Sequence, residues 1–485
     1  MTQSSLGKDN RARLNRGAAA MAGGFLVRFG AKAMFLAVAV FFYGAKLFGA
    51  YSLAVASIEL FVVIAGLSMK KLLFKMLDDR DAPSSPAERI ADAGITVVVA
   101  SAVLAAVVAV GLWVTGQEGG AVGRMTLWLL PMVAGQCLLD VSLTGIRWAG
   151  LVRYEVTTRS LAEPYAGLAA SVAAYWAGFY EAGLAIGYWV GTLAALSLAA
   201  YGLHRTVDLA PLRHYRIRLA AVWLGVRANF TNTLSDLANN LYQRVDMYIV
   251  GIALGPTATG VYSLAKQFTT PIRQIRQSYD ALVIPLISRE LSEAPSPETG
   301  KRIGEIMGLI LNIQVPYLIV LAGAGAGILS YFPAEFHSAF LPMVILTAGN
   351  LLHASHGVGD TVLSYRAPAR GLVITLISMA VGAAAGWWLV KELGLTGAAL
   401  GIGMSFVSKA ILRYYAVRAT DVHIPMLSVF GPASLSLVLA TAIFLAFRLF
   451  APAEGTVAQI AATLLALGAF AAVLKLDPVA NFGRR

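Results

Sequence analysis

Residues 227–285 read RANFTNTLSDLANNLYQRVDMYIVGIALGPTATGVYSLAKQFTTPIRQIRQSYDALVIP. Two apolar segments flank the hexapeptide GVYSLA at 260–265, and each carries a polar stripe. Asn229, Asn232, Asp236, Asn239, Asn240 and Gln243 recur at three-, four- and seven-residue intervals, and Lys266, Thr269, Arg273, Arg276, Gln277 and Asp280 do the same. At about 100° per residue, each set falls within roughly a 100° arc of one helix face. The hexapeptide has an echo. GAYSLA at 49–54 matches it in five of six positions at an offset of 211 residues, and Gly44 precedes the first copy as Gly255 precedes the second. A shared G-x4-G-x-Y-S-L-A pattern at near half the chain length points to a duplicated architecture.

The 485 residues are 58% hydrophobic and only 13% charged, with a mean hydropathy of +0.70. A soluble chain carries about a quarter charged residues, so the excess apolar surface implies an all-α polytopic membrane protein. The formal charge of +12 reflects basic loops on one side of a bilayer rather than nucleic-acid binding. The single cysteine, Cys137, excludes an intramolecular disulfide. Residues 1–17 are polar and basic, and the apolar run after them is too long for the core of a cleavable signal.

Hydropathy places fourteen spans at about 22–43, 50–70, 93–114, 122–146, 158–178, 183–203, 221–253, 259–285, 304–330, 338–360, 371–390, 395–417, 427–448 and 456–474. The seventh exceeds what a bilayer needs and is expected to tilt or project. With the N-terminus inside, 26 of the 38 Lys and Arg residues fall in cytoplasmic segments, Arg159 and Arg413 among them, against four outside. That bias puts both termini in the cytoplasm. The basic loop 204–220 joins two six-span halves, 1–203 and 221–420, and 421–485 is an appendage of two helices and a tail. A second echo, GLAIG at 183–187 and GAALG at 397–401, supports the halving.

Ionisable groups at membrane depth are costly and face a cavity or each other. Span one carries Arg28 and Lys32 without an acid, and span eight carries Lys266, Arg273 and Arg276 against Asp280 alone. These five cations are the candidates for an anion-attracting cleft. Asp140, Asp236, Asp246 and Asp280 are the candidates for ion coupling or for structural pairing. His353, His356 and Asp360 share a face of span ten, but no third ligand pair accompanies them, so no metal is expected. Nucleotide-binding, metalloprotease and serine-hydrolase motifs are absent, which argues against an enzyme and against any cofactor.

Three local patterns carry a family resemblance. Asp246 to Gly251 reads D-x-Y-I-V-G and leads into G-x4-G-V-Y-S-L-A; the next span holds P-I and basic residues; F-G-A-Y-S-L-A opens a second span ending A-G-L-S-M-K-K. In these patterns and in its fourteen spans the chain resembles the polysaccharide flippases of the multidrug, oligosaccharidyl-lipid and polysaccharide (MOP) exporter superfamily. The resemblance implies two lobes that alternate access and move an isoprenoid diphosphate-linked oligosaccharide outward across the bacterial inner membrane, alongside other glycan assembly proteins. It also implies that basic cavity residues, here Arg28, Lys32, Lys266, Arg273 and Arg276, meet the anionic diphosphate. A cation-coupled drug exporter of the same superfamily is the alternative, disfavoured because span one has no acid. A membrane-embedded glycan-modifying enzyme is a further alternative, disfavoured by short outer loops.

Overall fold

The computed structural model describes residues 3–79, 84–215, 219–274, 276, 297–420 and 422–425, with isolated positions 429, 463, 464 and 468. Expected spans thirteen and fourteen and the Asp280 end of span eight lie outside the described residues, as does the side chain of Arg28. The protein is all-helical among the described residues, and seven of its helices are long and apolar enough to cross a membrane, or eight if one bent pair counts as a span. It packs as two compact units, Met1–Leu241 and Tyr242–Arg485.

The first unit opens with α1 (Gln3–Gly66), α2 (Met69–Asp78) and α3 (Pro86–Val114). The bent pair α4 (Ala121–Leu129) and α5 (Met132–Trp148) follows, then α6 (Val152–Thr157), α7 (Glu163–Trp176), α8 (Gly183–Thr206) and α9 (Leu219–Tyr242). The second unit holds α10 (Val245–Gln267), α11 (Pro297–Leu329), α12 (Phe340–His356), α13 (Val358–Arg366) and α14 (Pro368–Arg418).

Three of these helices are hairpins rather than rods. In α1, Gly44 takes φ 72°, ψ 173°, and the rings of Phe35 and Tyr51 lie 5.8 Å apart. Sixteen residues of unbroken helix would separate them by about 24 Å. In α10, Gly255 takes φ 83°, ψ −177°, and Tyr262 Oη donates to Asp246 Oδ2 at 3.0 Å across the turn. In α14, the turn is at Gly394, and Ser405 Oγ donates to Ser378 O at 2.7 Å. The turns fall within the connections expected at 44–49, 254–258 and 391–394. Gly44 and Gly255 share one backbone conformation, in a region that only glycine occupies readily, so the sequence echo is also an echo of geometry.

The second echo has the same structural content. A Cβ on Gly187 would come within 2.8 Å of Gly167 O, and one on Gly401 would overlap Gly386. Each glycine lets two neighbouring helices cross closely. The expected continuous span 221–253 is not found. The chain turns at Gln243–Arg244, within the polar stripe, and divides it into α9 and the first arm of α10.

α2 is an amphipathic helix that buries Met69, Leu73 and Leu77 and leaves Lys70, Lys71 and Phe74 exposed. It follows a break at Leu67 and Ser68, whose φ of 50° and 49° are the positive values for non-glycine residues among those described. In the second unit, Ile272 is buried against Leu311, Val315 and Ile319 of α11. That contact sets the position of the cation-bearing segment described next.

Candidate functional site

The return arm of α10 ends at Gln267, the chain turns at Phe268–Thr269, and helix resumes at 270–274 and 276. Pro271 has no N–H and therefore cannot continue the helical ladder to Gln267 O. Beside this interrupted segment lies a cavity of about 130 Å³, lined by Gln243, Asp246, Lys266, Thr269, Arg273 and Arg276. α12 contributes Leu346, Asn350, His353 and Ala354, and α14 contributes Ile402 and Phe406.

The structure thus brings three of the five candidate cations together, and it distinguishes between them. Lys266 Nζ donates to Asp246 Oδ1 at 2.7 Å, Asp246 Oδ2 at 2.9 Å and Gln243 O at 2.6 Å. An ammonium has three N–H donors, so Lys266 is fully engaged by the opposite arm of its own hairpin. Asp246 is 3% exposed and also accepts from Tyr262. Arg273 has no ion-pair partner among the described residues. Arg276 donates from Nη2 to Gly357 O at 3.2 Å, with its guanidinium laid against that glycine. With Lys266 and Asp246 cancelling, the described lining carries two positive charges in excess.

A further layer of charge lies in the same unit. Arg413, read from the sequence as a cytoplasmic loop residue, is 2% exposed within α14 and pairs through Nη2 with Asp360 Oδ2 at 2.6 Å. Lys409 Nζ sits 4.4 Å from the centre of the Tyr242 ring. His353 stacks on Phe406 at 4.8 Å. The His353, His356, Asp360 face is therefore divided between a ring stack and an ion pair.

In the first unit the candidate acids Asp140 and Asp236 are paired. Asp140 takes Lys70 at 2.7 Å and Arg159 at 2.6 Å, and Arg159 also reaches Glu163 at 3.0 Å. Gln136 Nε2 bridges Glu163 Oε1 and Thr192 Oγ1 at 3.1 and 3.0 Å. Arg159 was expected in a cytoplasmic segment by charge counting alone; it sits in a π-helical turn, Thr158–Ala162, that aims it back at α5. Asp236 accepts from Lys71 at 2.8 Å and from Ser68 Oγ at 2.8 Å. Lys32 is exposed on α1.

A polysaccharide biosynthesis protein family model matches residues 153–331. A probable low-salt glycan biosynthesis flippase, Agl15 of Haloferax volcanii, is 23% identical over 191 residues, 38% of this chain. The chain spans about two fifths of that relative's length, 39%. Among solved structures, the inward-closed lipid II flippase MurJ aligns with a TM-score of 0.78 at 11% identity, covering 93% of this chain and 98% of that one. The two share a fold. An inward-facing multidrug resistance transporter of the MOP superfamily aligns over 81% of this chain and 97% of its own, with a TM-score of 0.61 at 14% identity. The resemblance to polysaccharide flippases within the MOP superfamily, read from the motifs around Gly44 and Gly255, is borne out.

Proposed function

We propose that this chain flips an isoprenoid diphosphate-linked oligosaccharide from the cytoplasmic to the outer leaflet of a bacterial inner membrane by alternating access. In this reading its lobes are 1–203 and 221–420, joined by loop 204–220 and followed by 421–485, with both termini cytoplasmic. The observation that carries it is Arg273, a guanidinium in a segment read as a span from hydropathy, facing a cavity and without a carboxylate partner among the described residues. A guanidinium presents paired donors that match phosphate oxygens, and away from bulk water such contacts strengthen. The cavity, about 130 Å³, is well below the ~300–1,000 Å³ of a drug-sized site. It suits the anionic linkage of the cargo and leaves the glycan outside it.

Arg28 and Lys32 join Arg273 and Arg276 as cargo-contacting cations in this reading, and Lys266 holds the α10 hairpin. The test is export of the surface glycan by Arg273→Glu and Arg273→Lys variants at matched membrane abundance. Charge reversal abolishes export, and Lys, which keeps the charge and loses the fork, retains part of it. Full export by the Glu variant refutes this role for Arg273. A deletion strain that lacks the lipid-linked repeat unit, instead of accumulating it on the cytoplasmic leaflet, replaces the flippase with an enzyme.

A further inference from the structure

The interrupted segment that carries Arg273 has two backbone carbonyls taken by side chains of a neighbouring helix. Tyr317 Oη donates to Phe268 O at 2.7 Å, and Gln314 Nε2 donates to Ile272 O at 2.9 Å. Both donors come from α11, three residues apart and so on one face of it. We propose that Gln314 and Tyr317 are positioning residues that hold the Phe268–Ile272 segment so that Arg273 faces the cavity.

The geometry is specific to Arg273. The carbonyl that Gln314 holds belongs to the peptide unit whose nitrogen is that of Arg273, so this bond fixes the plane from which the Arg273 side chain departs. The Phe268 carbonyl lies at the turn where α10 gives way to the Pro271 segment, and a freed backbone there is steadied only by neighbours. Apolar packing supports the same placement, since Ile272 is fully buried against Leu311, Val315 and Ile319 on either side of Gln314.

Gln314 is an expensive choice if packing were its only role. It is 0% exposed, and its Oε1 has no hydrogen-bond partner among the described residues. A methionine of similar volume would fill the space without a desolvated acceptor. What the amide adds over methionine is its single bond to Ile272 O. Tyr317 likewise makes one bond, to Phe268 O, that phenylalanine would forgo.

The inference rests on the reading of Arg273 as an anion contact, and two measurements on the full chain in nanodiscs separate them. The first is affinity for a short-chain isoprenyl diphosphate used as the probe. Arg273→Ala weakens binding about tenfold; Gln314→Met and Tyr317→Phe each weaken it about threefold at unchanged abundance and melting temperature. In an Arg273→Ala background, Gln314→Met adds no further loss, because the brace acts only through Arg273. The second is the labelling rate of an Arg273→Cys variant, with Cys137→Ser, by a small methanethiosulfonate. Gln314→Met shifts that rate severalfold and leaves a Thr257→Cys control unchanged. Additive losses in affinity, or an unaltered labelling rate at position 273, overturn the brace. A wild-type protein that binds no probe overturns the anion reading alone, and the labelling rates then decide the brace by themselves.

Discussion

Lys266 and Asp246 stand twenty residues apart in sequence and 2.7 Å apart in space, bridging the two arms of a hairpin that turns at Gly255. The Asp246 side chain is 2% exposed and that of Lys266 17%. Removing one partner strands a buried charge, at a cost of about 3–5 kcal/mol, whereas replacing both with apolar residues of similar volume is near neutral. Asp246→Leu and Lys266→Met should each lower membrane abundance and melting temperature, and the double variant should recover most of both, short of the bond that Tyr262 Oη loses. It should also recover export, because Lys266 has no donor left for cargo. A stable double variant without export would return Lys266 to the cargo contacts.

Gly44 and Gly255 hold φ of 72° and 83° with ψ near 180°. A side chain in that region costs on the order of 1–3 kcal/mol. Gly44→Ala and Gly255→Ala should therefore destabilise to a similar extent. Gly30→Ala, within helix and with open space around its Cβ, should be neutral or slightly stabilising. Melting curves in detergent check the ranking, and a tolerated alanine at Gly255 beside a damaging one at Gly44 would end the case for equivalent turns.

The hairpins were legible because each turn combines a glycine with the end of an apolar run. The cation-rich face of the Lys266–Arg276 segment was legible from spacing alone. Which cation is engaged was not: Lys266 finds Asp246 only after the chain reverses at Gly255, and a linear helix pattern carries no record of that reversal. The partners of Arg413 and Arg159 were hidden for a related reason. Counting basic residues treats arginine as a marker of loops, yet Arg413 pairs with Asp360, 53 residues away, and Arg159 with Asp140, 19 away. The broken seventh span was hidden by its own stripe, since polar residues at helical spacing also fit the Gln243–Arg244 turn.

The distribution of basic residues predicts Arg213 in the cytoplasm and Thr257 outside, and both positions are exposed. In a Cys137→Ser background, a membrane-impermeant thiol reagent applied to intact cells should label Thr257→Cys and spare Arg213→Cys. The opposite pattern would invert the topology and the direction of transport with it.

Gly357 joins α12 to α13 in ordinary helical conformation, so its backbone would accept alanine without strain. The obstacle is Arg276, whose guanidinium carbon would lie 2.6 Å from the new Cβ. The clash is with the far end of a flexible side chain, and the side chain yields before the backbone does. Gly357→Ala should then displace Arg276 and break its bond to Gly357 O, while stability changes by no more than about 1 kcal/mol. Under the flippase reading export falls severalfold at normal abundance, and Gly371→Ala, with open space at its Cβ, leaves it intact. In an Arg276→Ala background the Gly357 substitution should add nothing, since the group it displaces is already gone. Export that falls with Arg276→Ala but ignores Gly357→Ala would mean that Arg276 does not work from its place against Gly357.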